Sequence, residues 1–538
     1  MSENTNLPTG QGVQSHPAPV SVSTPDDIER RLGEMYRRLN LHLEPSIPGP
    51  DGITFDFNLG VRVKIPYGTN RRYRVQYWDS NSDRLMFNGC LKAGERLQST
   101  QRFYRNILLR ISDEDTQKVL LLHKMELKDR IVIVHLPVET IGDTIGWFHA
   151  IELFREKHQC KLFVAMSDKI RPLFESVYPE INFIYREEML SIHSYAHYEL
   201  GVKFDGSSDI LPYDWRMSPL HWVGANILGI DPHTIDNVPP KIAYDTTNRI
   251  INKPYVCIGS LASGGCKLWL NPYGWDTVVD FLKRCGYRVL DIDAQKICGT
   301  GIAWQKIPSG AEDWTGIGDG KTLSDRAALI HHADFFIGLG SGLSWLAWAC
   351  HKPVVLISGF SQPFCEFYTP YRVIETGVCH GCFNDPQYSF DASDSFWCPR
   401  NKNTDMHLIC SRAITPELVI NKIRQIPAFK QHLENNGIRI GDSLNCEMTA
   451  KPMSFSIHQT TTKDDISVTQ TDDHNTTNYD NVTVCRDDNG VTENSSPIPL
   501  TIAPGDLPVN QLSDLLVQAG SEPIATEIPT IKQEPNNE

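Results

Sequence analysis

Residues 334–358 read DFFIGLGSGLSWLAWACHKPVVLIS: an apolar run, a turn with three glycines in five residues, an apolar stretch of helical length, Lys352-Pro353, and another apolar run. Short apolar runs bounded by Gly and Pro read as buried strands. The order strand, loop, helix, strand implies a parallel sheet covered on both faces. The same unit recurs just upstream, in YVCIGS (255–260), the helix DTVVDFLKRCG (276–286), YRVLDID (287–293) and the helix LSDRAALIHHA (323–333).

A second series lies further toward the N-terminus. IVIVHLP (131–137) is a strand, followed by Gly142-Asp143 and an amphipathic helix with Ile145, Phe148, Ile151 and Leu153/Phe154 inward. CKLFVAM (160–166) and INFIY (181–185) are further strands. Two such series predict an α/β chain of two Rossmann-like domains, 129–250 and 251–430, facing one cleft. Before them, from about Gly52, the apolar period changes to two, and turn residues separate the runs. Residues 41–128 are therefore expected to form an antiparallel β domain.

The ends read differently. Residues 1–40 are a Pro/Ser/Thr-rich arm with one short helix, Leu32, Met35, Tyr36 and Leu39 on its apolar face. Residues 431–538 are an acidic, Asn/Thr/Asp-rich tail with no core-forming pattern. From Gly441 onward there are 16 acidic against 4 basic residues, so the net charge of −14 leaves only −2 on the first 440 residues. A nearly neutral body argues against a nucleic-acid binder. No basic segment leads into an apolar run at the start, and no stretch approaches eighteen apolar residues. A cytoplasmic protein without a transmembrane segment is expected, its 14 cysteines serving as thiols or metal ligands.

Several residues could carry chemistry. Asp143 sits where the first parallel strand hands over to its helix, at the carboxyl edge where open α/β sheets bind ligands. An ionised Asp there could accept a proton from an attacking hydroxyl, although Asp is also an ordinary capping residue. The loop Gly338–Leu343, with Ser341, Gly342 and Leu343 at the helix start, has amides suited to a diphosphate. It lacks the G-x-G-x-x-G pattern with a following acid, so NAD is poorly supported. Lys267, after the flexible Ser263-Gly264-Gly265, could balance charge on a diphosphate leaving group, though an isolated Lys is more often simply solvated. Asp293, ending a strand, is placed to meet a ribose or base.

Between 376 and 412 lie Cys379-His-Gly-Cys382, Cys398 and Cys410. The C-x2-C spacing lets two thiolates from one turn meet one cation, and the other two can close a tetrahedral S4 site. Such a site has no open position for substrate, so its metal would be structural. Thiolate ligation alone does not separate zinc from iron.

Together these stretches carry a resemblance. Strand-Gly-Asp-helix, Lys267-x-Trp269-x5-Trp275 and AD-x-FIG-x-GSGLSWLAWA resemble the heptosyltransferase group of GT-B glycosyltransferases. The segment ISGFSQPFCEFYTPYRVIETGVCHGCFND, with Trp397-Cys398-Pro399 and Cys410, is similar to the bacterial autotransporter heptosyltransferases. The resemblance implies cytoplasmic enzymes that transfer heptose, with inversion, from ADP-heptose to serines of an autotransporter passenger protein. It further implies Asp143 as general base, Lys267 at the donor diphosphate, and Ser263, Ser341, Gly342 and Leu343 as donor contacts. Cys379, Cys382, Cys398 and Cys410 would hold one iron per chain in a large homo-oligomer, a dodecamer. Two positions depart from the lipopolysaccharide heptosyltransferases: Gly340 stands where those carry Asp, and Trp345 where they carry His. Other readings are a GT-B enzyme with another nucleotide sugar or a saccharide acceptor, and a non-catalytic scaffold stapled by the metal loop.

Overall fold

The computed structural model describes residues 30, 33, 34, 37–39 and 41–439, apart from 205–208, 302, 317, 319 and 320. Most of the expected arm and, from residue 440, the acidic tail lie outside them, as do Leu32, Met35 and Tyr36 of the expected short helix. Arg30, Gly33, Glu34, Arg37 and Arg38 are helical. The chain separates into a compact unit ending at Leu43 and a larger one beginning at Glu44.

Within the larger unit the stretch around 334–358 forms the middle of a six-stranded sheet. Its strands run Glu312–Asp313, Arg288–Asp291, Tyr255–Gly259, Phe336–Leu339, Val354–Ile357, Arg372–Val373, all parallel. In chain order this is 3-2-1-4-5-6, the doubly wound arrangement. Every residue of Tyr255–Gly259, Phe336–Leu339 and Val354–Ile357 is buried, as a sheet covered on both faces requires. The order reverses between Tyr255–Gly259 and Phe336–Leu339, so the loops after those two strands flank the switch point where such sheets bind ligands.

The first series gives a second parallel core, Asn182–Ile184, Lys161–Ala165, Ile131–His135, Ala196–Glu199. The 41–128 segment divides between two sheets. Thr54–Asn58 pairs in parallel with Ala196–Glu199 and carries Arg62–Lys64 and Arg96–Gln98 outward, so these strands extend the first Rossmann-like sheet. Tyr73–Asp79, Arg84–Leu91, Ile107–Asp113 and Val119–Lys124 form a separate four-stranded antiparallel sheet. At the junction a buried pair locks the extension in place. Arg62 reaches Asp56 through two bonds of 2.7 and 2.6 Å, with side chains 2% and 0% exposed. Asn58 donates a third bond to the same carboxylate.

Helix Ile141–His158 is covered on most of its surface: besides Ile145, Phe148, Ile151 and Phe154, residues Gly142, Gly146 and Trp147 are also buried. One cause is helix Gly342–Ala349 of the second half, which lays Trp345 across its first two turns. A Cβ on Gly142 would stand 2.8 Å from Trp345 Cδ1, and one on Gly146 3.2 Å from Trp345 Cζ3. In return, a Cβ on Gly342 would stand 2.7 Å from Ile141 Cβ. The two halves thus meet helix to helix through small residues, and Leu220 N–H bonds Cys365 O beside that contact.

Candidate active site

The two halves flank an open cleft, a concave site of the kind where small molecules bind. Glu139 to Asp143 line it from the first half. Leu261 to Ser263, Lys267, Asp293 to Gln295, Gly340 to Leu343 and Trp345 line it from the second. The fold therefore brings Asp143, Ser263, Lys267, Asp293, Ser341, Gly342 and Leu343 to one place, and leaves the four cysteines outside it.

Asp143 lies in the first turn of its helix, held by the hydroxyl of Thr140 at the N-cap position. Burial raises its carboxyl above the ordinary aspartate range, while the Thr140 hydroxyl and the positive charge of Lys267 pull it back. Lys267 ends the turn Gly265–Lys267 and makes no ion pair among the described residues; its ammonium stands 5.8 Å over the Phe360 ring. At the other wall, the Ser341 N–H is taken by Leu339 O at 2.7 Å. Gly342 and Leu343 open the helix, where amides have no intrahelical acceptor, so they are the ones left for an anion.

The glycines of this loop have packing reasons as well. A Cβ on Gly338 would meet Phe336 at 2.5 Å, and one on Gly340 would meet Glu366 Oε1 at 2.6 Å. Glu366 belongs to a buried cluster behind the loop, bonded to Ser361 Oγ at 2.5 Å and to Arg372 at 2.7 Å. Asp293 is buried with its carboxylate turned onto the loop after Tyr255–Gly259, accepting from Leu261 N–H at 2.9 Å. It shapes the cleft wall there. Sequence reasoning did not single out Thr140, and marked Trp345 only as a departure from the lipopolysaccharide heptosyltransferases; the Thr three residues before Asp143 was a capping signal that could have drawn attention to the first.

The cysteine segment packs under the turn that bears Lys267. Ser411 Oγ donates to Leu268 O and accepts from Leu270 N–H at 2.8 Å. Trp269 Nε1 bonds Ile414 O at 2.9 Å. An aromatic cluster of Phe360, Phe383, Phe390 and Trp397 fills the space between the segment and the body, and Arg216 of the first half donates to Pro386 O and Tyr388 O. Gly381 makes the C-x2-C turn at φ 68°, where a Cβ would overlap Gln362. Cys379 Sγ accepts from Asn401 Nδ2 at 2.9 Å, and Cys398 Sγ from Leu408 N–H at 3.5 Å.

Among the described residues no three His, Cys, Asp or Glu side chains stand in an arrangement that could hold a metal ion. The four thiols nevertheless lie within electrostatic reach: Cys410 is pushed up to about 12 by burial and then by the other three cysteines, and Cys382 to about 11 by burial, with Arg400 pulling it back and Cys379 and Cys398 adding to the rise. Protonated thiols do not attract one another; a cation that displaces their protons supplies the attraction. The donor set is thus chemically matched to a thiophilic ion, in the geometry of free thiols.

With this geometry in view, comparison with known proteins is decisive. Residues 49–115 match the family model of the glycosyltransferase TibC N-terminal domain, and residues 233–393 that of glycosyltransferase family 9 (heptosyltransferase). The autotransporter heptosyltransferase Aah of Escherichia coli is 41% identical over 385 residues, 72% of this chain and 96% of Aah. The chain belongs to the autotransporter heptosyltransferase family. Another relative, autotransporter heptosyltransferase TibC of E. coli O78:H11, is 40% identical over 71% of this chain and 92% of TibC. TibC's crystal structure, described as an iron-containing dodecameric glycosyltransferase, superposes with a TM-score of 0.67 at 39% identity, covering 71% of this chain and 97% of TibC. A second TibC structure, in complex with ADP-D-β-D-heptose, gives the same TM-score. The family also includes a relative described as inactive, BimC of Burkholderia thailandensis, 32% identical over 72% of this chain and 88% of BimC. The fold of this autotransporter heptosyltransferase is the GT-B arrangement of two Rossmann-like halves across a cleft. No helix among its described residues is long and apolar enough to cross a membrane.

Proposed function

We propose that this chain is an active protein O-heptosyltransferase that moves heptose from ADP-heptose to serine hydroxyls of an autotransporter adhesin in the cytoplasm, inverting the anomeric carbon. Because the family holds an inactive relative, membership alone does not carry activity. What carries it is one observation: a carboxylate, Asp143, shares a cleft with an unpaired ammonium, Lys267, and the free amides of a helix start.

The chemistry follows from those groups. Asp143 takes the proton of the acceptor serine, whose oxygen bonds the anomeric carbon as the bond from that carbon to the diphosphate oxygen breaks. ADP leaves with the electron pair. Lys267 and the Gly342 and Leu343 amides stabilise the charge that develops on it, with the Ser263 and Ser341 hydroxyls at the rim. A raised carboxyl pKa suits Asp143 as a base, since it binds the proton more firmly than a free aspartate does.

The relatives described as iron-containing and dodecameric support an iron held by Cys379, Cys382, Cys398 and Cys410, and a dodecameric assembly. Four protein thiolates leave the ion no open position, so its part when bound is to staple the segment beneath the Lys267 turn.

The test is direct. Incubate the full chain with ADP-heptose and an autotransporter passenger fragment, and weigh the passenger. A gain in heptose units that disappears in Asp143→Asn, with oligomer size unchanged, is expected. No gain with any ADP-sugar, while ADP still binds, would place the chain beside the inactive relative.

A further inference from the structure

A second pocket lies away from the cleft and shares no lining residue with it. It opens between the four-stranded antiparallel sheet, which contributes Tyr77, Met86 and Ile107, and the extension of the first Rossmann-like sheet, which contributes Phe57. Tyr198 reaches it from the parallel strand Ala196–Glu199. Phe57 and Tyr198 share one face of their sheet: Phe57 stands opposite Ala196, and side chains two apart on a strand point the same way. Most of the wall is apolar, with the Phe57 and Phe103 rings and the thioethers of Met86 and Met125.

Three buried polar atoms of the lining residues have no hydrogen-bond partner among the described residues: Tyr198 Oη, Gln101 Oε1 and Arg105 Nε. Other polar groups beside them are spent. Ser99 Oγ takes the Val61 N–H at 2.9 Å and donates to Gln101 O at 3.1 Å. Arg105 gives Nη1 to Asp79 at 3.0 Å and lies 4.9 Å over the Phe103 ring, which leaves Nε. Tyr198 is 2% exposed, its ring flanked by those of Tyr104 and Phe154 at 6.1 and 5.6 Å. Burial raises its phenol well above the ordinary tyrosine value, so the hydroxyl keeps its proton and can donate it. Native folds pair almost all buried polar groups, so three unpaired ones around one pocket mark a place for an occupant.

The chemistry of those atoms narrows the occupant. Tyr198 Oη and Arg105 Nε offer protons, and Gln101 Oε1 accepts one. A single hydroxyl answers both needs, because its oxygen accepts while its hydrogen donates. Water meets the polar end in the same way, but the rings and thioethers of the remaining wall favour an aromatic body. We propose that this pocket binds a small neutral phenol, its ring against Phe57, Phe103, Met86 and Met125 and its hydroxyl among Tyr198, Gln101 and Arg105. A free phenol and the tyrosine side chain of a polypeptide present this same chemistry. Touching residues of both sheets, the occupant braces the antiparallel sheet against the first half, at a place the reaction in the cleft does not use.

The experiment uses the full-length protein with carbon-13 in its methionine methyl groups and follows their NMR signals as p-cresol, toluene or N-acetyl-tyrosinamide is added. Met86 and Met125 are the reporters, each identified by its Leu replacement. With p-cresol both signals should shift and saturate. Toluene, which lacks the hydroxyl, should bind about fivefold more weakly, the worth of one net neutral hydrogen bond. Tyr198→Phe should weaken p-cresol by about fivefold and leave toluene unchanged, with thermal melting to confirm that the variant is folded. Binding of N-acetyl-tyrosinamide as well assigns the site to a polypeptide tyrosine, and binding of p-cresol alone to a free phenol. Equal affinity for p-cresol and toluene means that the polar end holds water only, and overturns the proposal. So do unmoved Met86 and Met125 signals, an undiminished preference for p-cresol in Tyr198→Phe, or equal weakening of both probes there, as from a collapsed pocket.

Discussion

Replacing Gly142 by Ala and Gly146 by Ala separates packing at the reaction end from helix propensity, because both sites lie in one helix against one indole. A Cβ at 142 would start 2.8 Å from Trp345 Cδ1, about 0.6 Å inside the 3.4 Å at which ordinary contact begins. At 146 the nearest ring atom is 3.2 Å away, a shortfall of about 0.2 Å. Gly→Ala inside a helix gains about 1 kcal/mol from backbone entropy, less in the first turn where 142 lies. Overpacking costs about 1–3 kcal/mol when the neighbour cannot move, and Trp345 is hemmed in by His221, Trp348 and Phe367. Gly146→Ala should therefore melt within about 1 kcal/mol of the wild type and keep activity within a few fold. Gly142→Ala should lose about 1–3 kcal/mol. It should also lose on the order of 10–100-fold in kcat, because the indole must move against the residue that precedes the base. Urea melts and single-turnover transfer to a passenger fragment read the two effects. Equal behaviour of the two variants, or full kcat in Gly142→Ala, would refute the wedge.

Other outcomes follow from the same structure. Burial raises the Asp143 carboxyl, so kcat/KM should fall as pH drops through a value above the ordinary aspartate pKa of about 3.9. Burial penalises the ionised form, so Asp143→Asn should stabilise the fold at neutral pH, a gain that fades as the pH falls to the unfolded carboxyl's value; a pH series of melts checks the sign. Asp56→Ala strands the buried guanidinium of Arg62 and should cost about 3–5 kcal/mol in urea unfolding. Ser411→Ala removes the hydroxyl that ties Leu268 and Leu270 beneath Lys267. It should weaken ADP binding several fold, and removing the iron proposed for the four cysteines should do the same, measured by calorimetry.

The second Rossmann-like half was legible because its strands are runs buried on both faces, which no surface strand imitates, and its helices are bounded by Gly and Pro. The fate of Thr54–Asn58 was not. Period-two alternation gives the two faces of a strand but says nothing of its partner, and nothing local in TFDFN announces a parallel neighbour near residue 196. The helix after Gly142 read as amphipathic because Trp147 and the small residues fall off the counted face; only the indole arriving from residue 345 explains their burial. Asp143 and Lys267 could be singled out from their places at strand and helix ends. The direction of the Asp293 carboxylate, turned to Leu261 N–H, is a tertiary fact. In the cysteine segment the spacing announced a donor set. The aromatic cluster and Ser411, which join that segment to the Lys267 turn, have no periodic signature.

The pairing of Thr54–Asn58 with Ala196–Glu199 also bears on how the chain is made. Phe57 and Ala196 are 139 positions apart, and Ile133, whose strand pairs with the other side of Ala196–Glu199, is itself translated well after Phe57. At about 5–20 residues per second, the early strand waits roughly 7–28 s for its neighbour to be synthesised. For that interval the Phe57–Asn58 end of one edge is unpaired, while Ile47–Pro48 already covers the start of that strand and Arg62–Lys64 can close its other side at once. Such an edge can recruit a strand from another nascent chain. Asp56 and Arg62 face each other across that short hairpin, so their ion pair can form, and fix the register of the two strands, before the parallel partner arrives.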